Sequence, residues 1–269
     1  MPIKNDVHPR RPMRQAGLIE RRDQAMTAAN SPWNFFDRIY CITVQDRTDR
    51  RASATAAFAE VGILPRVEFV SVLRHPENSE QGIFESHLLC IRRGLSAGAR
   101  TIAIFEDDVI FDRYAPETLR SCIDFLATAP CWSMLFFGCL VNGSRPTENR
   151  SVRRIRYRSL AHAYAIHRSF AERLAAKRWE GTAFDAMVRS EPGCYYSVYP
   201  SFAFQSDAPT DNREGIRLDR FRRLCGGLCR IQKMNEFYYR RRAPIIVAHV
   251  LAIVAILIAA VTAFGAGLP

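Results

Sequence analysis

The chain has 269 residues, 48% hydrophobic and 24% charged, enough apolar material for a packed core, which excludes a wholly disordered protein. With only 14 Gly and 14 Pro it is not collagenous. Its 38 Lys+Arg against 27 Asp+Glu give a net charge of +11, which points to an anionic partner: nucleic acid, phosphate or a lipid surface.

The position of the charge narrows that choice. Residues 1–30 carry a net +3, 31–144 a net −3, 145–178 a net +8, 179–212 a net −4 and 213–269 a net +7. Two blocks supply more than the whole excess, so the chain is not uniformly basic. No zinc-finger, KH or RRM signature occurs, and no nucleic acid is expected as a partner.

Residues 1–30 are polar and broken by charge, contain no apolar run that would serve as a secretory signal, and are expected to form a disordered basic arm. Residues 31–212 have the size of one domain. Within it FDRIYCITV (36–44) is short, apolar and β-branched, and predicts a buried strand. RRASATAAFAEVGI (50–63) predicts a helix that ends near Gly62, and RVEFVSV (66–72) a second strand. SHLLCIRRGLSAG (86–98) predicts a second helix with Ser86 as an N-cap, and TIAIFEDDVIF (101–111) opens as a third strand. Strands alternating with helices in this order predict an α/β sheet with parallel members.

Ligands of such sheets collect at the carboxyl ends of the strands, where Glu106, Asp107 and Asp108 follow a fully apolar run. If the strand continues, alternation puts Glu106 and Asp108 on one face. Two such carboxylates suit a hard divalent cation, Mn2+ or Mg2+, which keeps water and ligand phosphate as its other ligands. An acidic turn after a strand is the plainer reading. Three acids directly after TIAIF favour the site, because they are costly there without a counter-ion.

The order of motifs resembles the glycosyltransferase family 25 group, which includes lipooligosaccharide and procollagen galactosyltransferases. IYCITVQDRTDR matches that family's first strand and R-x-D-R segment at Ile39, Tyr40, Ile42, Asp49 and Arg50, with Thr43 in place of Asn. QGIFESH keeps Ser86 and His87 of a G-x-x-G-C-x-x-S-H motif but has Phe84 and Glu85 where Gly and Cys are usual. FEDD (105–108) stands for L-E-D-D, and 162–177 resembles a helix region of the family. Phe184-Asp185 stands for V-D, and VYPSFAFQSD (198–207) resembles the closing Y-P-P-x-x-x-Q.

The resemblance spans 31–212. It implies a GT-A-like nucleotide-sugar-binding sheet with flanking helices and metal-dependent, inverting transfer of a hexose such as galactose. The donor would be a UDP-sugar, and the acceptor a lipid-linked or surface glycan, as in lipopolysaccharide biosynthesis. It implies Glu106 and Asp108 as metal ligands, Asp185 as the catalytic base, and Arg50, His87, Asp107 and Gln205 at the donor. A catalytically silent scaffold of the same fold is the alternative. The basic run RSVRRIRYR (150–158) reads as a charged edge strand, or as a strand facing an anionic acceptor or the bilayer.

Residues 213–243 form a basic juxtamembrane segment. Apolar residues recur at helical spacing in IRLDRFRRLCGGLCRIQKM (216–234), weakened by Gly226 and Gly227, and two readings stay open: a helix on an anionic membrane face, or one packed on the domain. From 244 to 267 no charged residue occurs, and the apolar run 245–264 has the length of a transmembrane helix. Arg240, Arg241 and Arg242 abut it on one side only, so a single C-terminal anchor with a cytoplasmic body is expected. The eight cysteines are scattered without C-x2-C spacing, and most are expected to be small core residues, with Cys225 and Cys229 near the membrane as candidates for acylation.

Overall fold

The computed structural model describes residues 30–206, 222, 224 and 226–265. The expected basic arm therefore lies outside the described residues except for Asn30, as do Cys225 and 207–221. Strand β1 (Arg38–Val44) leads through helix α1 (Thr48–Glu60) to β2 (Val67–Val72), and helix α2 (Ser79–Ser96) leads to β3 (Thr101–Glu106). β1 pairs in parallel with both β2 and β3, as the strand–helix alternation predicts.

Beyond β3 the sheet is mixed, which the apolar pattern did not reveal. β4 (Val109–Phe111) and α3 (Pro116–Thr128) precede β5 (Met134–Phe136), β6 (Leu140–Pro146), β7 (Val152–Ser159) and β8 (Ala163–His167). After α4 (Arg168–Ala175) and α5 (Phe184–Ser190) come β9 (Tyr195–Val198) and β10 (Ala203–Gln205). The eight-stranded order is β2-β1-β3-β8-β5-β9-β7-β6, and β8 runs antiparallel to both of its neighbours. β4 and β10 form a separate antiparallel pair. The fold is thus α/β, a large sheet flanked by helices, with one apolar helix at its C-terminus.

Alternation divides the core between two faces. Tyr40, Ile42, Ile102 and Ile104 meet Phe84, Leu88 and Ile91 of α2, Phe170 of α4 and Phe184 of α5. Ile39, Cys41, Ala103 and Phe105 meet Phe58 of α1 and Leu119, Cys122 and Phe125 of α3. Cys41, Cys90, Cys122 and Cys139 are buried free thiols, the small core residues expected.

Several local expectations are corrected. α2 begins seven residues before Ser86, where the Asn78 side chain accepts from the Gln81 backbone N–H at 2.9 Å. Asn78 and Gln81 have the spacing of a capping box, so this start is written in the sequence. Ser86 is inside the helix, and its hydroxyl donates back to the Gly82 carbonyl at 2.6 Å. The first half of 162–177 is the buried strand β8, and the helix begins only at Arg168. The run at 150–158 forms β7, with Ile155 and Tyr157 buried and Arg154, Arg156 and Arg158 exposed. It is second from the edge, and β6 is the edge strand.

Helix α6 (Gly227–Arg240) packs on the body. Gly226 and Gly227 have φ of 89° and 85°, a left-handed conformation that glycine adopts freely, and they open the helix instead of weakening its middle. Asn235 bonds both the N–H and the carbonyl of Val141 on β6, at 2.9 and 3.1 Å. Gln232 is fully buried and donates to the Ala203 carbonyl at 2.9 Å, crossing Gly138 where a side chain would have no room. Glu236 accepts from the Ser201 N–H at 2.8 Å, and Lys233 reaches Asp112 at 2.6 Å. Helix α7 (Arg242–Gly265) then runs with its span Arg242–Thr262 unburied. At 1.5 Å per residue its 21 residues cover about 30 Å, long and apolar enough to cross a membrane.

Candidate functional site

β3 ends at Glu106, and Asp107 and Asp108 form a turn before β4. The condition for Glu106 and Asp108 to share a strand face is therefore not met; the turn, not alternation, orients the acids. Register fixes this turn from both sides. The Glu106 N–H donates to the His162 carbonyl at 2.8 Å, and the Ser206 N–H donates to the Asp108 carbonyl at 2.8 Å.

Arg50, in the first turn of α1, is the partner of the aspartates. Its Nη1 stands 3.3 Å from Asp107 Oδ1 and 3.5 Å from Asp108 Oδ2, with the three side chains 11%, 5% and 6% exposed. Gln205 Nε2 donates to Asp108 Oδ2 at 2.8 Å. Asp107 Oδ2 and Asp108 Oδ1 remain buried with no hydrogen-bond partner. Burial raises Asp107, against the pull of Arg50, the Thr43 hydroxyl and the Val44 N–H. Burial, then the Glu106 charge, pushes Asp108 up to about 7, while Arg50 and Gln205 act the other way.

Glu106 faces a different set of partners. Its Oε1 lies 3.3 Å from His87 Nε2, and His87 Nδ1 lies 3.1 Å from the Tyr164 hydroxyl. The His87 ring stacks on Phe184 with centroids 4.2 Å apart. Burial drives His87 down to about 4, so at neutral pH its contact with Glu106 is a hydrogen bond between neutral imidazole and carboxyl, not an ion pair. Glu106 keeps 29% of its side chain open to solvent. Its enclosure, then the charges of Asp185 and Asp107, raise it to about 8.

Asp185 opens α5. It accepts from the Leu160 N–H at 2.9 Å, from the Ala161 N–H at 3.1 Å and from the Tyr157 hydroxyl. These bonds hold Leu160 at a φ of 73°, a left-handed conformation costing about 1–3 kcal/mol for a residue with a side chain. The carboxylate is thus occupied by three donors, and its charge is felt at Glu106, His87 and Tyr157.

The structure brings Arg50, Asp107, Asp108 and Gln205 into one cluster and His87, Glu106 and Tyr164 into an adjoining one. Phe84 is a core residue against Trp179 and Phe184, and Glu85 is exposed and accepts from Gln81 at 2.8 Å. Sequence reasoning missed Tyr157 and Tyr164. For Tyr164 the available signal was a hydroxyl on an apolar strand, since a buried tyrosine O–H needs an acceptor; Tyr157 sits in the basic run and gave none.

Two orphaned carboxylate oxygens on adjacent residues are hard, anionic donors, and a buried polar atom without a partner calls for an explanation such as an ion. The residues fit a divalent cation in that respect. Among the described residues no group of three or more His, Cys, Asp or Glu side chains is placed to hold a metal ion.

No protein family profile matches the chain, and no curated protein matches it. Among solved structures it is similar to A197 from STIV at 12% identity and a TM-score of 0.43, over 63% of this chain and 85% of that one. It is similar to the mannose-1-phosphate geranyltransferase from Thermus thermophilus at 11% identity and 0.39, over 61% and 74%. A glycosyltransferase involved in glycosylation of the major capsid of PBCV-1 follows at 13% identity and 0.36, over 60% and 81%. These partial overlaps assign no activity to the chain.

Proposed function

We propose that the chain is a membrane-anchored glycosyltransferase that moves a hexose from a UDP-sugar to a lipid-linked or surface-glycan acceptor with inversion. The observation that carries this reading is the buried Asp107–Asp108 pair beyond the carboxyl end of β3, with Oδ2 and Oδ1 unpartnered. Asp107 and Asp108 would hold Mn2+ or Mg2+, whereas Glu106, expected as a ligand together with Asp108, faces His87. When bound, the cation supplies charge neutralisation for a departing diphosphate.

The chain's own residues would do the rest. Arg50 supplies a fixed positive charge next to the aspartates, suited to a phosphate oxygen, and Gln205 keeps Asp108 aimed. Asp185 is the carboxylate proposed as the acceptor's base; to act it must release one of its three donors. α7 would seat the body on the membrane that carries the acceptor.

A second reading, a catalytically silent scaffold, is favoured by one observation: Arg50 already offsets the aspartate charge from within the chain. Calorimetry with Mn2+ and UDP, followed by a screen of UDP-sugars for hydrolysis, tests both. Mn2+-dependent UDP binding that is lost in Asp108→Asn supports the enzyme; a folded chain that binds neither ligand supports the scaffold.

A further inference from the structure

One small cleft takes no part in the proposed chemistry. It lies between α6 and the β6–β7–β9 side of the sheet, is shallow and open to solvent, and joins the apolar Val141 and Ile155 to Ser144, Arg153, Tyr199 and Glu236 in its walls. Two guanidinium carbons stand over the Tyr199 ring, that of Arg153 at 5.6 Å from the centroid and that of Arg240 at 5.0 Å.

Among the described residues neither arginine has a carboxylate within 4.0 Å. Glu236 is engaged elsewhere, accepting from the Ser201 N–H and facing Arg113 at 3.5 Å. Arg153 is aimed by its Nε, which donates to Ser144 Oγ at 2.6 Å and leaves its two terminal nitrogens without a protein acceptor among those residues. Burial first, and the Arg240 charge against the pull of Tyr199 and Glu236, hold Arg153 below the usual arginine value. Two cations kept at one aromatic ring repel each other, and an anion bound beside the ring lowers that repulsion. Guanidinium forks match phosphate oxygens in pairs.

The location specifies the anion further. Arg240 is the last residue of α6, and the apolar helix starts two residues later at Arg242. With α7 in a bilayer, Arg240 stands at the depth of the lipid headgroups. We infer that the Tyr199 corner of this cleft, where Arg153 lines the wall and the exposed Arg240 lies against the same ring, is a binding site for a lipid phosphate, a subsite of the membrane-proximal face that would hold a headgroup or the phosphate of a lipid-borne acceptor. It rests on reading α7 as a membrane anchor and not on the sugar-transfer chemistry.

The test uses the full chain in neutral detergent micelles, with thermal unfolding read at rising concentrations of phosphatidic acid, diacylglycerol or inorganic phosphate. Phosphatidic acid is expected to raise Tm by mass action, and diacylglycerol is not. Inorganic phosphate should need at least ten times the concentration, lacking the acyl chains. Arg153→Gln and Arg240→Gln should each weaken phosphatidic acid binding about tenfold, and the double variant more. Equal shifts with phosphatidic acid and diacylglycerol overturn the phosphate site, and equal potency of inorganic phosphate overturns its lipid character. Unchanged binding in a folded double variant overturns the residue assignment. Flotation with phosphatidylcholine vesicles reports the anchor separately, and UDP-sugar turnover reports the proposed enzyme, so each failure is told apart.

Discussion

Gln205 and Asp108 are 97 residues apart in sequence and joined by a 2.8 Å hydrogen bond, the amide donating to the carboxylate. The bond exists because β10 pairs with β4, which sets Gln205 opposite Val109 and brings the closing segment onto the acidic turn. α6 continues the brace: Gln232 holds the Ala203 carbonyl on the same short strand, and Lys233 holds Asp112 just beyond β4. The acidic turn is thus supported from the chain's far end, by the helix that leads into the apolar span.

Arg50→Ala should destabilise the body strongly, because it leaves Asp107 and Asp108 buried beside each other without a cation. Breaking a buried pair in this way costs about 3–5 kcal/mol. Denaturant unfolding should show the larger loss at pH 8 and a smaller one at pH 5, where the acids can take protons. Partial recovery on adding Mn2+ is expected if the aspartates hold it; a variant as stable as the wild type would contradict the pairing.

Gly138→Ala tests the seat of α6. A Cβ at this position would stand 1.8 Å from the Ala203 carbonyl oxygen and 2.3 Å from Gln232 Nε2. Backbone cannot yield as a flexible side chain can, so a loss of about 1–3 kcal/mol or more is expected from overpacking. Protease cutting between the body and α6 should rise in the same variant. A neutral substitution would mean that α6 does not hold this position in solution.

The pH dependence follows from two opposed pairs. Glu106 and Asp108, raised to about 8 and about 7, hold protons in the folded chain at pH values where the unfolded chain has released them. Their contribution to stability is therefore full below the ordinary carboxylate range and lost as pH rises towards 8. His87 and His162, both driven by burial to about 4, act the other way: below 6.5 the unfolded chain takes up protons first. The pairs offset each other between about 4.5 and 6.5, and above that only the acids act. Tm in chelator should fall from pH 6.5 to 8, and Glu106→Gln should flatten the fall. An unchanged slope in that variant would remove Glu106 from the account.

Asp185→Asn separates a base from a brace. An amide cannot accept from all three donors, and a buried donor left unpaired costs about 1–3 kcal/mol. If Asp185 only fixes the Leu160 turn, Tm should drop while the pH profile of turnover keeps its shape. If it is the base, turnover should fall 10²-fold or more, beyond what lost folded protein explains.

The first half of the domain was legible because each element announces itself locally. β1, α1, β2 and the start of β3 follow from short apolar runs and helical spacing, and the acidic turn was found by its place after TIAIF. What failed was long-range. AYAIH reads as apolar whichever way its strand runs, so the antiparallel insertion of β8 left no local trace. Arg50, expected at the donor, also lies on the aspartates, and Asp185, expected as the base, also holds a turn 25 residues upstream; neither contact was foreseen. Those partners are set by tertiary pairing, which residue type and spacing alone do not encode.

Only Arg241 separates α6, clamped to the body by Gln232, Asn235 and Glu236, from the apolar helix that begins at Arg242. A lipid-seated chain built this way has no slack tether. Its acidic turn would travel at one fixed height and sweep a plane instead of a volume, so encounters with a membrane-borne acceptor would be governed by lateral diffusion and surface density. Soluble acceptors would be sampled only within that thin layer.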